Sequence, residues 1–158
     1  MILKEAPVKL KTDEKTPLSI CFVCSGNTCR SPMAAALLNE LGKGCYKASS
    51  AGLSAMEGDP ISENAVAALK DHGIKSTPEN DYEHHKARQA QAELLERFDK
   101  IIAISRSHLL SLVMSFPELA ERMSVMPTDI PDPFMQSKKV YDTCLQRIKD
   151  GIKEIFSL

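Results

Sequence analysis

The sequence predicts an α/β fold, in which a four-stranded parallel sheet carries helices on both faces. Two observations support this class. Short apolar runs of β-forming residues alternate along the chain with longer segments of helical periodicity, and such alternation is typical of parallel strands joined by helices. The length of 158 residues suits a single domain, and 43% hydrophobic residues are enough for a core.

The first three elements surround a turn that is rich in small polar residues. Residues 19–23 form an apolar run that predicts a buried strand. The first helix is expected to follow Ser31 as its N-cap and to begin with Pro32, which suits the first helical position. Gly42 suits the end of this helix, and residues 46–50 predict the second strand.

The remaining elements are predicted by periodicity and by their terminal residues. In chain order they are a helix, a short helix, a strand, a helix, a strand and an amphipathic helix, at residues 60–72, 90–97, 100–104, 107–116, 124–126 and 139–155. Pro117 closes the fourth helix, because the residue before a proline disfavours helical backbone. The last helix places its apolar residues on one face.

Composition restricts the classes of partner and the location. Residues 1–17 are charged and lack periodicity, so we predict a mobile N-terminal extension before a single domain at residues 18–158. No apolar run approaches the ~20 residues of a membrane span, and no signal-peptide core is present. A net charge of -1 gives no reason to expect nucleic acid. Five cysteines without framework spacing predict reduced thiols and a cytoplasmic location. A monomer or weak dimer is expected.

The strongest functional signal is the turn between the first strand and the first helix, where residues 24–32 read CSGNTCRSP. Five residues between Cys24 and Arg30 allow the backbone amides to curl around a phosphate, while the planar fork of Arg30 binds its oxygens. The helix N-terminus is expected to lower the pKa of Cys24. Gly26 and Asn27 both tolerate the left-handed backbone that a curl requires. The alternative interpretation is a glycine-containing turn with a structural cysteine.

The motif Cys-x4-Cys-Arg-Ser-Pro resembles that of the low-molecular-weight protein tyrosine phosphatase family, which includes the bacterial protein arginine phosphatases. From residue 19 onward, later motifs of that family have counterparts in Ser50-Ala51-Gly52, Ala87-Arg88-Gln89 and Asp132-Pro133-Phe134. The resemblance implies hydrolysis of phosphorylated proteins through a phosphocysteine intermediate. It implies Cys24 as nucleophile, Arg30 as phosphate ligand and Asp132 as general acid. Because loop amides and Arg30 supply the positive charge, we expect neither metal nor cofactor.

The resemblance also implies supporting roles for other residues. The phosphate-binding loop would comprise Ser25, Gly26, Asn27, Thr28, Cys29 and Ser31. Ser31 would in addition hydrogen-bond the nucleophile, and Cys29 would form a reversible disulfide with Cys24 under oxidation. Ser50 and His72 would support the loop, although a surface residue at a helix end is the ordinary interpretation of His72. Asp129 competes with Asp132 for the role of acid, and an ordinary Asp-Pro turn is the alternative for Asp132.

Other chemistries are less well supported. Cys21 and Cys24 have dithiol spacing, but three strand residues span roughly 10 Å and a disulfide needs Cα atoms within about 7 Å. His84-His85 lies in a polar loop without the partners that a zinc site needs. A thiol-coupled arsenate reductase would need a downstream cysteine pair, whereas Cys45 and Cys144 are far apart in sequence. A module that only binds phosphate would not need Cys24, Arg30 and Asp132 together.

Several positions bear on the identity of the phosphorylated side chain. In the family that the motif resembles, tyrosine phosphatases usually carry an apolar residue at the position of Thr28, whereas arginine phosphatases carry Thr. Phe134-Met135 stands where the tyrosine enzymes often have two tyrosines, and the loop after Gly52 has no aromatic wall. Ser25 departs from the Thr of the arginine enzymes. The balance favours phosphoarginine over phosphotyrosine, with Thr28 and Phe134 on the substrate rim.

Overall fold

The computed structural model of the chain describes residues 16–158. The predicted N-terminal extension, residues 1–17, therefore lies outside the described residues except for its last two positions. Within residues 16–158, no helix combines the length and the apolarity that crossing a bilayer requires.

Four parallel strands of the described chain form one sheet. They are β1 (Leu18–Cys24), β2 (Tyr46–Gly52), β3 (Lys100–Ala103) and β4 (Met123–Val125), in the order β2-β1-β3-β4. Cys24 at the end of β1 lies opposite Gly52 of β2, and Val23 lies opposite Ala103 of β3. The carboxyl end of β1 is therefore flanked on both sides, at the edge where open parallel sheets bind ligands.

Five α-helices in residues 16–158 accompany the strands. They are α1 (Arg30–Leu41), α2 (Glu63–Asp71), α3 (Ala92–Leu95), α4 (Arg106–Ser115) and α5 (Lys138–Phe156). The structure confirms the predicted fold class and places every predicted strand and helix close to its expected position. Two 3₁₀ turns, Tyr82–His84 and Pro117–Arg122, were not predicted, because so short a turn has no periodicity to detect.

The sheet separates two hydrophobic cores. One contains Ile20, Phe22 and Cys24 of β1 together with residues of α1, α2 and α5. The other contains Cys21 and Val23 with residues of α3 and α4. Successive side chains of a strand point to opposite faces, so Cys21 and Cys24 cannot form the dithiol that their spacing had suggested.

The start of α1 corrects one prediction. The helix begins at Arg30, and Cys29 in the N-cap position makes no side-chain cap hydrogen bond. Ser31 is therefore not the N-cap but lies inside the first turn, fully buried. The predicted end is confirmed, because Gly42 donates its N–H to the carbonyl of Leu38. The hydroxyl of Ser31 does not cap the helix and can therefore bond to residues of the turn between β1 and α1.

Candidate active site

The hydroxyl of Ser31 joins the two ends of this turn. Its Oγ lies 2.9 Å from Sγ of Cys24 and accepts a hydrogen bond of 2.8 Å from Nδ2 of Asn27. Because the Nδ2 group of Asn27 can only donate, the hydroxyl hydrogen of Ser31 remains available for the sulfur. The geometry thus favours a hydrogen bond from Ser31 to Cys24.

The protonation of Cys24 reflects opposing influences. Burial raises the pKa of the Cys24 thiol above its ordinary value, while hydrogen bonds from Ser31 and the charge of Arg30 lower it. The expectation of a lowered pKa left out the cost of burying a thiolate. Ser31 and Arg30, the residues that lower the pKa of Cys24, nevertheless belong to the turn and to the start of α1, as expected.

The backbone of the turn is held in a strained conformation at Asn27. This residue has a φ of 59°, in the left-handed region, as predicted, whereas Gly26 does not adopt a positive φ. The side-chain Oδ1 of Asn27 accepts a hydrogen bond of 3.0 Å from the amide of Arg88. Its carbonyl oxygen lies 2.7 Å from Nε2 of His85. A carbonyl only accepts, so His85 donates from Nε2.

These contacts correct the prediction for His72. The structure places His72 at the C-terminal end of α2, where its Nδ1 faces the carbonyl of Ala68 at 2.8 Å. The histidine that reaches the turn is His85, whose pKa is lowered mainly by burial. Its signal in the sequence was its position just before Ala87-Arg88-Gln89, the stretch that had been matched as a family motif.

Ser50 supports the turn through an intermediary. It is buried in β2, and its carbonyl accepts a hydrogen bond of 2.9 Å from Nε of Arg88. The amide of Arg88 in turn binds Asn27. The contact runs from the main-chain carbonyl of Ser50 to Arg88 and from Arg88 to Asn27, so the supporting role of the Ser50 side chain stays a prediction.

Gly52 allows the end of β2 to approach the turn closely. A Cβ at this position would lie 2.5 Å from the carbonyl oxygen of Ser25 and 3.0 Å from Cβ of Asn27. The amides of Leu53 and Ser54 then bind the carbonyls of Cys24 and Ser25, each at 2.9 Å. Only glycine fits this approach without displacing the backbone.

Arg30 and Asp132 meet above the turn. Arg30 is buried and donates from Nη1 to the carbonyl of Ile130 at 3.1 Å. Its Nη2 lies 3.5 Å from Oδ2 of Asp132, whose side chain is 52% exposed. Asp129, the competing carboxylate, instead accepts a hydrogen bond of 2.9 Å from the amide of Arg106 at the start of α4. Of the two acids, the structure brings Asp132 to Arg30.

A cleft of about 230 Å³ opens over this arrangement. Its lining comprises Cys24, Gly26, Asn27, Thr28, Cys29, Arg30, Ser54, Met56, Asp59, Asp132 and Phe134. Thr28 and Phe134 lie where a substrate rim was predicted. Ser54, Met56 and Asp59 were missed, because the loop after Gly52 has no periodicity and its position depends on distant hydrogen bonds.

Two further contacts surround the turn. The Sγ of Cys29 lies 3.2 Å from the hydroxyl of Tyr141 on α5, and burial raises the pKa of Tyr141 to about 12. The Oγ of Ser25 lies 2.9 Å from Nε2 of His108 on α4. His108 is buried, its Nδ1 has no hydrogen-bond partner within residues 16–158, and burial lowers its pKa. Neither Tyr141 nor His108 was predicted.

The later cysteines are arranged unfavourably for a thiol relay. Cys144 is buried on α5, and burial raises its pKa to about 12. The carbonyl of Cys45 binds the amide of Leu18 at the start of β1, and at ~3.3 Å per residue Leu18 lies ~20 Å from Cys24. All five cysteines are free. Among the described residues, no group of three or more His, Cys, Asp or Glu side chains is arranged to hold a metal ion.

Comparison with known proteins places this cleft in context. Residues 19–157 match the family model described as low molecular weight phosphotyrosine protein phosphatase. A protein-arginine-phosphatase of Geobacillus stearothermophilus is 36% identical over 132 residues, covering 79% of this chain and 84% of the relative. The probable low molecular weight protein-tyrosine-phosphatase EpsP of Ralstonia solanacearum is 32% identical over 138 residues, covering 85% and 90%.

Solved structures of similar phosphatases share the fold of this chain. The crystal structure of a low molecular weight protein tyrosine phosphatase from T. tengcongensis superimposes with a TM-score of 0.80 at 33% identity, covering 89% of this chain and 98% of that one. Relatives named as arginine phosphatases and relatives named as tyrosine phosphatases thus have similar sequence identity to this chain.

Proposed function

The chain belongs to the low molecular weight phosphotyrosine protein phosphatase family, and from this premise we propose that it hydrolyses phosphoarginine in proteins, with Cys24 as nucleophile. The observation that carries the proposal is that Cys24, Arg30 and Asp132 line one cleft, while the buried Ser31 contacts Cys24. The sulfur of Cys24 lies 2.9 Å from Ser31 Oγ, and Arg30 lies 3.5 Å from the half-exposed Asp132. Nucleophile, stabilising donor, phosphate ligand and proton donor are therefore adjacent.

In the first step, the thiolate of Cys24 attacks phosphorus and an S–P bond forms. The P–N bond of phosphoarginine breaks, and the leaving nitrogen takes a proton from the carboxyl group of Asp132. Arg30 and the amides of residues 25–30 bind the phosphate oxygens, whose negative charge they offset. The products are a phosphocysteine and a free arginine side chain.

In the second step, the carboxylate of Asp132 accepts a proton from a water molecule that attacks the phosphocysteine. The S–P bond breaks, and inorganic phosphate leaves. The departing thiolate of Cys24 is stabilised by the hydrogen bond from Ser31, whose oxygen is held by Asn27. The same residue therefore serves as acid in the first step and as base in the second.

Thr28 supports phosphoarginine as the substrate. Its side chain is half-buried in the cleft wall beside Cys29, where the atom that leaves phosphorus would pass. A hydroxyl can accept a hydrogen bond from a guanidine N–H, whereas an aliphatic side chain would leave that donor unpaired at a cost of about 1–3 kcal/mol.

Phosphotyrosine is the second candidate, and two rim residues favour it. Met56 and Phe134 line the cleft with 70% and 57% exposure. Such side chains can pack against an aromatic ring. A relative named as a protein-tyrosine-phosphatase is nearly as similar to this chain as one named for arginine.

The deciding experiment compares two peptides that differ only in the phosphorylated residue. We expect kcat/KM to be higher for the phosphoarginine peptide than for the phosphotyrosine peptide. A preference for phosphotyrosine would make the tyrosine phosphatase the better description. Loss of turnover on both peptides in a Cys24→Ser variant excludes a contaminating phosphatase.

The setting of the activity is part of the proposal. We place the enzyme in the cytoplasm, as a monomer or weak dimer that needs no nucleic acid, because its cysteines are free and its net charge is -1. Residues 18–158 would form the single domain that carries the activity. A variant lacking residues 1–15 is expected to keep the kcat/KM of the full chain.

A further inference from the structure

We propose that Asp59 is a specificity-determining residue that accepts hydrogen bonds from the guanidine group of phosphoarginine at the cleft opening. This inference rests on the proposed function and adds to it the residue that selects the substrate. It starts from the distribution of charge in the cleft lining. Among the described residues that line the cleft, Arg30 is the only one with a cationic side chain, whereas Asp59 and Asp132 carry carboxylates.

The two carboxylates differ in their partners. Asp132 is paired with Arg30 through Oδ2 and accepts the amide of Phe134 through Oδ1. The carboxylate of the neighbouring Glu57 accepts the amide of Gln89 at 2.7 Å. Within residues 16–158, no hydrogen bond or ion pair reaches the carboxylate of Asp59. Asp59 thus presents free acceptors to whatever enters the cleft.

The backbone at Asp59 is nevertheless firmly held. Its carbonyl accepts the amide of Ala87 at 2.7 Å, and the amide of Gly58 donates to the carbonyl of Ala87 at 2.8 Å. Three residues later, the amide of Ser62 donates to the carbonyl of Thr28 at 2.9 Å. Asp59 is therefore anchored to the phosphate-binding turn and to the segment that supports it, so its carboxylate is positioned before substrate arrives.

A guanidine group suits this carboxylate in a way that a phenol does not. Phosphoarginine keeps N–H donors on the nitrogens that do not bear phosphorus, and a carboxylate can accept two of them side by side. Phosphotyrosine offers a ring edge without N–H donors. The phosphate of either substrate would bind at Arg30. The guanidine group or the phenol ring would then contact the rim of the cleft.

The contact should strengthen during the reaction. As the P–N bond breaks, the proton from Asp132 replaces phosphorus on the leaving nitrogen, so the guanidinium group keeps its positive charge while the negatively charged phosphate leaves it. A carboxylate already in place stabilises this positive charge as the phosphate departs, and interactions that are stronger in the transition state raise kcat. Asp132 would donate the proton, and Asp59 would bind the charged product side.

The test uses Asp59→Asn, which keeps the shape and removes the charge, with Glu57→Gln as matched control. Glu57 is a close neighbour of the same charge that does not line the cleft. The substrates are phosphoarginine and phosphotyrosine peptides with the same uncharged flanking residues. We expect Asp59→Asn to lower kcat/KM for phosphoarginine at least about tenfold and to change that for phosphotyrosine less than about twofold, with both unchanged in Glu57→Gln.

Salt provides a second readout. Raising ionic strength should lower kcat/KM of the wild type on the phosphoarginine peptide more than that of Asp59→Asn. An unchanged substrate ratio in Asp59→Asn, or equal losses on both peptides, overturns the inference even if the wild type prefers phosphoarginine. A wild type that prefers phosphotyrosine overturns the proposed function as well, so the two failures are distinguishable.

Discussion

The floor of the cleft and its rim are built in different ways. On the floor, Asn27, Ser31 and Arg30 are 0%, 0% and 7% exposed. Asn27 and Arg30 are hydrogen-bonded to distant segments of the chain, and Ser31 is bonded to Asn27 within the turn. On the rim, Phe134 is more than half exposed and the carboxylate of Asp59 is unpaired within residues 16–158. In the proposed function, phosphate chemistry depends on the preorganised groups of the floor, while the choice of phosphorylated side chain depends on a few rim groups.

Removing the nucleophile should have the largest effect. A Cys24→Ser variant is expected to lose turnover of p-nitrophenyl phosphate, because a hydroxyl cannot replace a thiolate here. Binding of inorganic phosphate, measured by calorimetry, should persist, since the turn and Arg30 remain. Comparable turnover by the variant would show that Cys24 is not the nucleophile and that the floor of the cleft does not carry the reaction.

Asp132 stands between floor and rim, and its loss should cost ~10²–10⁴-fold in rate. Asp132→Ala should slow poor leaving groups more than good ones, which a series of aryl phosphates measures. Asp129→Ala is the control, because Asp129 binds the start of α4 instead. A larger loss in Asp129→Ala, or equal losses across leaving groups, contradicts the assignment.

Thr28 tests whether the cleft wall selects the substrate. Thr28→Ile should shift the ratio of kcat/KM toward phosphotyrosine by at least about tenfold, since burial of apolar surface is worth ~25 cal/mol per Å² and a guanidine donor would be left unpaired. Thr28→Val, which removes the hydroxyl at nearly constant size, separates the two causes. If neither variant moves the ratio, Thr28 only packs the turn.

The smallest effect concerns pH and the histidines beneath the floor. The pKa values of His85 and His108 are lowered from 6.5 by burial, so both rings are neutral in the folded protein near pH 7. Their contribution to stability is fully present above about pH 6.5 and is lost as the pH falls through the lowered values.

Urea unfolding between pH 7.5 and pH 5 measures this dependence. The free energy of unfolding should fall with pH, and the fall should be shallower in His85→Gln than in the wild type. An equal slope in the two proteins would show that His85 does not change its protonation on unfolding.

The sequence predicted those parts of the site that depend on local spacing. Cys24 and Arg30 are joined by a short turn, so their meeting needs no knowledge of distant segments. His85 was missed because it contacts Asn27 across 58 positions, and the predicted His72 merely ends a helix. Ser31 was expected both as a helix cap and as a hydrogen-bond partner of Cys24. The structure rules out the cap role, whereas the Ser31 hydroxyl lies within hydrogen-bond distance of Cys24 and Asn27 in the same turn.

Rim residues were less predictable for a related reason. Met56 and Asp59 lie in a loop without periodicity, and hydrogen bonds to Ala87 hold that loop in place. Asp132 was found through the resemblance of Asp132-Pro133-Phe134 to a family motif. The structure distinguishes it from Asp129, because Asp129 accepts a hydrogen bond from the amide at the start of α4.

The spread of these groups along the chain has a consequence for biosynthesis. Cys24 in β1 leaves the ribosome early, but β1 lies between β2 and β3, and Val23 pairs with Ala103 some eighty residues later. Asp132 and the α5 residue Tyr141 follow later still. A nascent chain that stops before residue 132 therefore carries the proposed nucleophile without the proposed proton donor, and we expect it to lack the activity of the full chain.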